Sequence, residues 1–507
     1  MDFIFDQLGL LSGGFSVALS GQNMAFLLFG VAIGILVGVL PGLGAANGVA
    51  ILLPLTFGLE PVTAMIMLTA TYWGALLGGS ITSILFNIPG EPAALPTTFD
   101  GHPMALQGKA SEAMALAFTS SAVGAMIGTL LLTFAASSIA DFGLRFGAPE
   151  YFAIYTLAFA SFIGMGGPEP IKTLIAIMIG LGLSTIGLDT VSGDVRMTFG
   201  VLDLIKGISF MLVVIGMIGI GELLITMERN LELRGVVARM DPRVIFRTII
   251  TLPRYWVALI RSAAVGCWMG VLPGSGATIA SMMSYGFARR FSSNREAFGK
   301  GAREGVVSPE TADHAAATSA MLPTLTLGIP GSGTAAVLLG GLLMWGLQPG
   351  PMLFVSQPDF VWGLIASMYL GNVTAVVVVL LSAPLFAAIL RIPFAYIGPV
   401  ILVVCMIGAF AIAMSLFDIY MTLLFGLFGY LFKKLDYPIA PLVLALILGD
   451  QAEESFRQSM ILSNGGVGIF WDSTLSKILM TCSVLALVAP IILKNSTRIT
   501  SRLRDQN

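Results

Sequence analysis

The sequence predicts an all-α polytopic membrane protein. It reads as two inverted-topology repeats with discontinuous or hairpin helices broken at Pro-Gly turns, giving roughly 12–15 membrane segments. Of its 507 residues, 56% are hydrophobic and only 11% charged. A soluble domain carries about 25% charged residues, so this chain has too little polar surface for a soluble enzyme. Glycine is abundant at 59 residues, a composition that suits close helix packing and interrupted helices in an apolar chain. The net charge of −2 offers no basic surface for nucleic acid. Cys267, Cys405 and Cys482 lie far apart in apolar runs and form neither a disulfide framework nor a metal site.

Residues 1–21 carry no Lys or Arg and so lack the basic start of a signal peptide; they read as an amphipathic lead-in along the interface. The first transmembrane repeat is expected over 22–228. It opens with an apolar region at 22–57 that is interrupted by Pro41-Gly42-Leu43-Gly44, followed by spans at 64–86, 112–134, 150–165, 171–187 and 206–227. A cytoplasmic basic connector is expected over 229–256. The second repeat, 257–450, opens with the interrupted region 257–288 and continues through 314–328, 360–388, 395–414, 418–432 and 438–450. Residues 451–507 supply a last helix at 474–493 and a basic tail.

The repeat itself is visible as a duplication. Gly38-Val39-Leu40-Pro41-Gly42-Leu43-Gly44-Ala45 recurs as Gly270-Val271-Leu272-Pro273-Gly274-Ser275-Gly276-Ala277, an offset of 232. Ile88-Pro89-Gly90 recurs as Ile329-Pro330-Gly331, and Leu106-Gln107 as Leu347-Gln348, both at an offset of 241. The basic residues orient the copies. The first Lys or Arg is Lys109, whereas twelve fall between Arg229 and Arg303. The excess of Lys and Arg on cytoplasmic loops places that block inside, with Lys433, Lys434 and the tail from Lys494 to Arg504. With each turn read as a hairpin, the first opens outside and the second inside, so the N-terminus is periplasmic and the C-terminus cytoplasmic.

A Pro-Gly-x-Gly turn leaves backbone N–H groups that lipid cannot satisfy, so it must face protein or a water-filled cavity. Glycine lets an anion approach the backbone, and the helix that follows presents a partial positive charge. Gly42, Gly44, Ala45 and Asn47 in the first repeat, and Gly274, Ser275, Gly276, Ala277 and Thr278 in the second, are therefore expected to bind a carboxylate-bearing solute. Asn87, Pro89 and Gly90, with Pro330, Gly331, Ser332, Gly333 and Thr334, form the second pair of breaks around the same site. A co-transported cation is expected near Gly42, Asn47, Gly274 and Thr278. The competing reading of each turn is a tight helix-packing device.

Other polar residues read more plainly. His102 sits in a polar stretch with Asp100 and reads as a turn residue. The run Ser308-Pro309-Glu310-Thr311-Ala312-Asp313-His314 reads either as a helix cap and first turn or as part of the site. Glu91 needs a partner or a proton if buried, and Asp450, Glu453 and Glu454 suit a water-facing helix end. No phosphate-loop, zinc-protease or nucleophile-elbow motif is present in the sequence; the chain reads as a non-enzyme without a cofactor.

The segments Gly38 to Leu59 (GVLPGLGAANGVAILLPLTFGL), Gly270 to Tyr285 (GVLPGSGATIASMMSY) and Leu325 to Val337 (LTLGIPGSGTAAV), with Ser463-Asn464-Gly465 and Val467-Gly468-Ile469, resemble the large membrane subunit of the tripartite tricarboxylate transporters. The resemblance spans about residues 22 to 493. It implies a bacterial inner-membrane permease that imports citrate or a related di- or tricarboxylate, driven by a cation gradient, usually sodium. It also implies two partners, a small membrane subunit of about four helices and a periplasmic solute-binding protein. An intramembrane enzyme acting on a lipid and a passive carboxylate channel are the alternatives; the repeat and the uncharged turns favour the transporter.

Overall fold

The computed structural model describes residues 2–40, 42–165, 169–189, 192–229, 240–274, 276–389 and 394–488. The helices run in chain order as α1 (Asp2–Ala18), α2 (Gly21–Val39), α3 (Gly44–Leu52), α4 (Pro61–Phe86), α5 (Leu95–Leu106), α6 (Ala110–Gly143), α7 (Ala148–Met165) and α8 (Pro170–Ser184). A short antiparallel pair, β1 (Gly187–Leu188) and β2 (Val195–Arg196), follows with Gly187 opposite Arg196. Next come α9 (Phe210–Val213), a π-helical stretch Val214–Ile220, α10 (Gly221–Arg229), α11 (Pro242–Thr251), α12 (Trp256–Val271) and α13 (Gly276–Phe291). The chain continues with α14 (Arg303–Ser319), α15 (Met321–Leu327), α16 (Gly333–Met344), α17 (Pro351–Ser356), α18 (Pro358–Ile389), α19 (Phe394–Ala413), α20 (Leu416–Lys434) and α21 (Ile439–Leu462). The last described helix, α22, covers Thr474–Val488. Among the described residues, six helices are long and apolar enough to cross a membrane: Gly21–Val39, Pro61–Phe86, Ala110–Gly143, Phe210–Glu228, Pro358–Ala388 and Leu416–Lys434.

Local chemistry explains many boundaries. Pro61, Pro170, Pro242 and Pro351 each open a helix, where a missing N–H costs nothing and φ is already set. The polar fold differs from the sequence reading in three places. His102 lies within α5 rather than a loop, its Nδ1 3.0 Å from the Ile84 carbonyl oxygen. The 308–314 run sits in the middle of α14, buried throughout, rather than at a helix start. Asp450, Glu453 and Glu454 lie mid-way along α21 rather than at its end, although Asp450 and Glu454 do face solvent.

Two compact units arise. One comprises residues 1–141, 211–272 and 276–431; the other comprises 142–210, 273–275 and 432–507. Within the second, α8 packs on α21 with Gly180 against the Leu442 carbonyl. Glu453 accepts from Arg196 at 2.8 Å and pairs with Arg457 at 2.5 Å, while Asp189 accepts from Arg457 at 2.8 Å.

In the first unit the duplication reappears as duplicated contacts. A Cβ on Gly34 or Gly38 would overlap the carbonyl oxygens of Thr71 or Ala75; on Gly266 or Gly270 it would overlap those of Ala312 or Ala316. These are the same pairs displaced by the two sequence offsets, so α2 meets α4 as α12 meets α14. The second turns repeat as well: Gly90 rests on the Gly38 carbonyl and Gly331 on the Gly270 carbonyl. Asn87 and Gly328 close the preceding helices with φ of 59° and 71°. The long helices are exchanged between copies. Gly124 of α6 rests on the Thr311 carbonyl of α14, while α18 packs on α4 with Gly371 against Trp73. α1 lies along α18, Gly14 touching the Trp362 backbone.

One carboxylate fastens the two copies together. Asp100 Oδ1 accepts N–H bonds from Gly299, Gly301 and Ala302 at 2.8, 2.9 and 2.7 Å, and Oδ2 accepts the Tyr285 hydroxyl at 2.9 Å. Asp100→Ala leaves three backbone donors without their acceptor, at about 1–3 kcal/mol each where water cannot reach. The expected result is a clear drop in thermal melting temperature of the detergent-purified chain. Asp100→Asn, which keeps one acceptor oxygen, is expected to lose less.

Candidate functional site

The first turn is built around two carboxylates. Gly42 and Gly44 take φ of 91° and 64°, which brings the chain sharply into α3. The N-cap residue of α3, Leu43, has no side chain able to cap it. Glu91 supplies the acceptor instead: the Ala45 N–H donates to Glu91 Oε2 at 2.6 Å. A carboxylate at a helix start is favoured by the free N–H groups and the dipole together. Glu91, flagged by the sequence as needing a partner, thus finds it in the backbone. Glu222 Oε1 lies against Gly42, at 2.9 Å from where a Cβ would stand. It follows the π-helical stretch, which packs on α3. Asn47 turns its amide inward, donating to the Gly42 and Leu43 carbonyl oxygens.

The second repeat differs at equivalent positions. Gly274 and Gly276 keep the same backbone, φ 80° and 61°, and Ser275 lies outside the described residues. Gly274 rests against Phe162, but no described residue lies within 4 Å of where a Cβ on Gly276 would stand. Ala277 is half-buried and Thr278 exposed at the start of α13. Where the first repeat has Glu91, the second has Ser332, whose Oγ accepts the Ala335 N–H at 3.2 Å and caps α16. Gly333 and Thr334 begin that helix, with Thr334 buried. Asn87 is exposed, Pro89 half-buried and Gly90 buried; in the second repeat Pro330 and Gly331 are buried.

The breaks pack crosswise within the first unit. α3 lies on α16, and α13 lies on the short 3-10 turn Pro92–Ala94 that follows Glu91. Tyr72 of α4 joins them, its hydroxyl turned to Ser332 and Thr334, with Asp313 and Glu91 the neighbouring charges. Gly44, Ala45, Ser332 and Thr334 are therefore close to one polar centre. Asn87, at the C-cap of α4, is exposed.

α14 completes the centre. Glu310 is 1% exposed and accepts hydroxyl hydrogens from Ser80 at 2.8 Å, Thr97 at 2.7 Å and Ser121 at 2.9 Å. These donors come from α4, α5 and α6. Asp313 and His314 follow one turn on, and atoms of Glu310, Asp313 and His314 lie within 4.8 Å of one another. Sequence reasoning missed Tyr72 and Glu222 and left α14 undecided. The repeat held a usable signal: Asp313 stands 241 positions after Tyr72, the offset that relates the second turns.

Chemically, the centre offers helix starts and hydroxyls for anions, and carboxylates for cations. Comparison with known proteins gives the family. Residues 24–444 match the Tripartite tricarboxylate transporter TctA family. A protein of Agrobacterium vitis described as "Uncharacterized 52.8 kDa protein in TAR-I ttuC' 3'region" is 38% identical over 496 residues, covering 96% of this chain and 98% of that protein. A second, "Uncharacterized protein in TAR-II ttuC' 3'region" from the same organism, is 38% identical over 230 residues, 45% of this chain and 95% of the relative. No solved structure matches the chain significantly. With a family match across most of its length and a relative alike from end to end, the chain belongs to the tripartite tricarboxylate transporter TctA family, whose members are membrane subunits of multi-component transporters.

Proposed function

We propose that the chain imports citrate or a related di- or tricarboxylate across the bacterial inner membrane, coupled to an inward cation gradient, with sodium the expected ion. A periplasmic solute-binding protein delivers the substrate, and a small membrane subunit of about four helices completes the complex. The observation that supports this most directly is the Glu91 carboxylate seated on the Ala45 N–H at 2.6 Å. It supports reading the other broken-helix starts of this fold as seats for a carboxylate. Substrate carboxylates take the corresponding N–H groups at Gly276 and Ala277 and at Gly333 and Thr334, with the hydroxyls of Ser332 and Thr334 adding hydrogen bonds. Gly42 and Gly44 shape the first turn around Glu91 and Glu222. Inverted repeats with half-helices at the centre are a recurrent architecture for alternating access.

The test is uptake of radiolabelled citrate, with tartrate alongside, into proteoliposomes holding this chain and the small subunit, with and without the binding protein. Uptake that needs both the binding protein and an inward cation gradient is expected. Uptake that needs neither describes a passive channel and overturns the reading. The proposed orientation, N-terminus periplasmic and C-terminus cytoplasmic, is tested in a cysteine-free background by labelling a cysteine at Ser12. Reaction only from the cytoplasmic side removes the hairpin reading of 22–57; the basic tail at 494–504 lies outside the described residues.

A further inference from the structure

We propose that Asp313, with the imidazole of His314 beside it, is the seat of the positive charge that travels with the substrate, a sodium ion or a proton. This rests on the cation-coupled reading above and places the ion on α14 rather than at the glycine turns.

Beside Glu222 at the first turn, three carboxylates, Glu91, Glu310 and Asp313, come from α14 and the turn after α4, and two of these three accept hydrogen bonds. Glu310 accepts three hydroxyls and Glu91 accepts the Ala45 N–H. Asp313 is different. Its side chain is 1% exposed, and neither Oδ1 nor Oδ2 has a hydrogen-bond partner. The contact closest to an ion pair is His314 Nδ1 at 3.9 Å, which itself faces the Glu310 carbonyl oxygen at 3.3 Å. That leaves His314 Nε2, also buried and unpartnered, as a bare atom on the same cluster. An anion withdrawn from water without donors or a counter-charge is strongly disfavoured. Among the described residues no Lys or Arg pairs with Glu91, Glu310 or Asp313. The site as built is short of one positive charge.

Its neighbours give that charge a role. Asp313 faces Glu310 and His314 on its own helix, and Glu91 and Tyr72 from α4 and the turn after it. Tyr72 reaches on to Ser332 and Thr334, where a substrate carboxylate is proposed to sit. A multivalent anion brought beside these carboxylates is repelled while Asp313 is ionised and alone. Once a cation occupies Asp313, the repulsion falls. Substrate and ion then bind together or not at all, which is the thermodynamic content of coupling.

The test uses the complete complex in proteoliposomes and radiolabelled citrate. Uptake is measured under an inward sodium gradient at equal pH, under an acid-outside pH gradient without sodium, and as exchange against internal unlabelled citrate without any gradient. Wild type is expected to respond to one of the two gradients, which identifies the ion. Asp313→Asn, neutral and isosteric, is expected to lose gradient-driven accumulation by about tenfold or more while retaining exchange. A second readout needs no substrate: the Tm of the purified chain in detergent should rise with that ion in wild type and stay flat in Asp313→Asn. Where Asp313→Asn is not produced, Asp313→Glu serves, with the ion response retained at a midpoint shifted about tenfold or more. Accumulation by Asp313→Asn that still follows the gradient overturns the assignment, as does an unshifted midpoint in Asp313→Glu. A wild type that accumulates citrate without any cation gradient overturns the coupled reading itself, and this assignment falls with it.

Discussion

Gly276→Ala is expected to leave the folded chain in the membrane and to cut citrate uptake by about tenfold or more, the loss of roughly 1.4 kcal/mol of binding or its equivalent. Gly276 begins α13 at φ +61°, with no described residue within 4 Å of the added methyl. Alanine in this left-handed conformation costs about 1–2 kcal/mol, too little to unfold a large, well-packed unit. The methyl enters the open space through which a carboxylate must approach the Gly276 and Ala277 N–H groups. Gly346→Ala is the matched control. Its φ of +70° imposes the same strain and its surroundings are equally open, but it lies at the far end of α16, so uptake should persist. Gly270→Ala and Gly331→Val behave otherwise. Their side chains overlap the Ala316 and Gly270 carbonyl oxygens, so the expected outcome is loss of the folded chain. Normal uptake by Gly276→Ala makes the turn a packing device and puts the substrate elsewhere.

Glu310→Ala should be the most damaging single side-chain change at the centre. It removes the acceptor for Ser80, Thr97 and Ser121 at once and leaves a void among α4, α5, α6 and α14. Each buried donor without an acceptor costs about 1–3 kcal/mol. Ser80 escapes part of this, because its hydroxyl already approaches the Leu76 carbonyl oxygen at 3.3 Å. A net loss of roughly 3–5 kcal/mol is expected, by comparison with breaking other buried charged networks. Glu310→Gln keeps one acceptor oxygen and should recover part of it. Thermal melting of the purified variants in detergent measures both. A Glu310→Ala melting temperature equal to wild type would mean that the three hydroxyls bind elsewhere without cost.

The duplication was legible because glycine serves the backbone directly. Gly34, Gly38, Gly266 and Gly270 are spaced at helix periodicity, and each marks a real carbonyl contact in the fold. The turns were legible for the same reason. The polar centre was harder. α14 has almost no apolar periodicity, since it is buried on every side from Gly305 to Ser319, and a helix encased in protein need not alternate. Its run of Ser, Pro and Glu imitates a capped helix start, and only neighbours from α4, α5 and α6 reveal its use. Glu222 gave no local signal. Its place beside Gly42 depends on a π-helical stretch, and the apolar run 214–220 reads the same for a π-helix as for an α-helix. On α21 charge does mark water, since Asp450 and Glu454 are exposed, but it does not mark a helix end, and the ion pairs of Glu453 with Arg196 and Arg457 have no local signal.

The exchange of long helices between the copies has a consequence for how the chain is made. Gly124 of α6 waits for the Thr311 carbonyl of α14, which the ribosome adds nearly two hundred residues later. At synthesis rates of about 5–20 residues per second, that is roughly 10 seconds or more during which the first half sits in the bilayer with its glycine groove unfilled. Lipid covers that groove meanwhile, and the Ser121 hydroxyl, which ends on Glu310 in the folded chain, can turn back to a carbonyl oxygen of its own helix as Ser120 does. The contacts of α6 are therefore completed only when α14 has been made, and the second half of the chain closes the first.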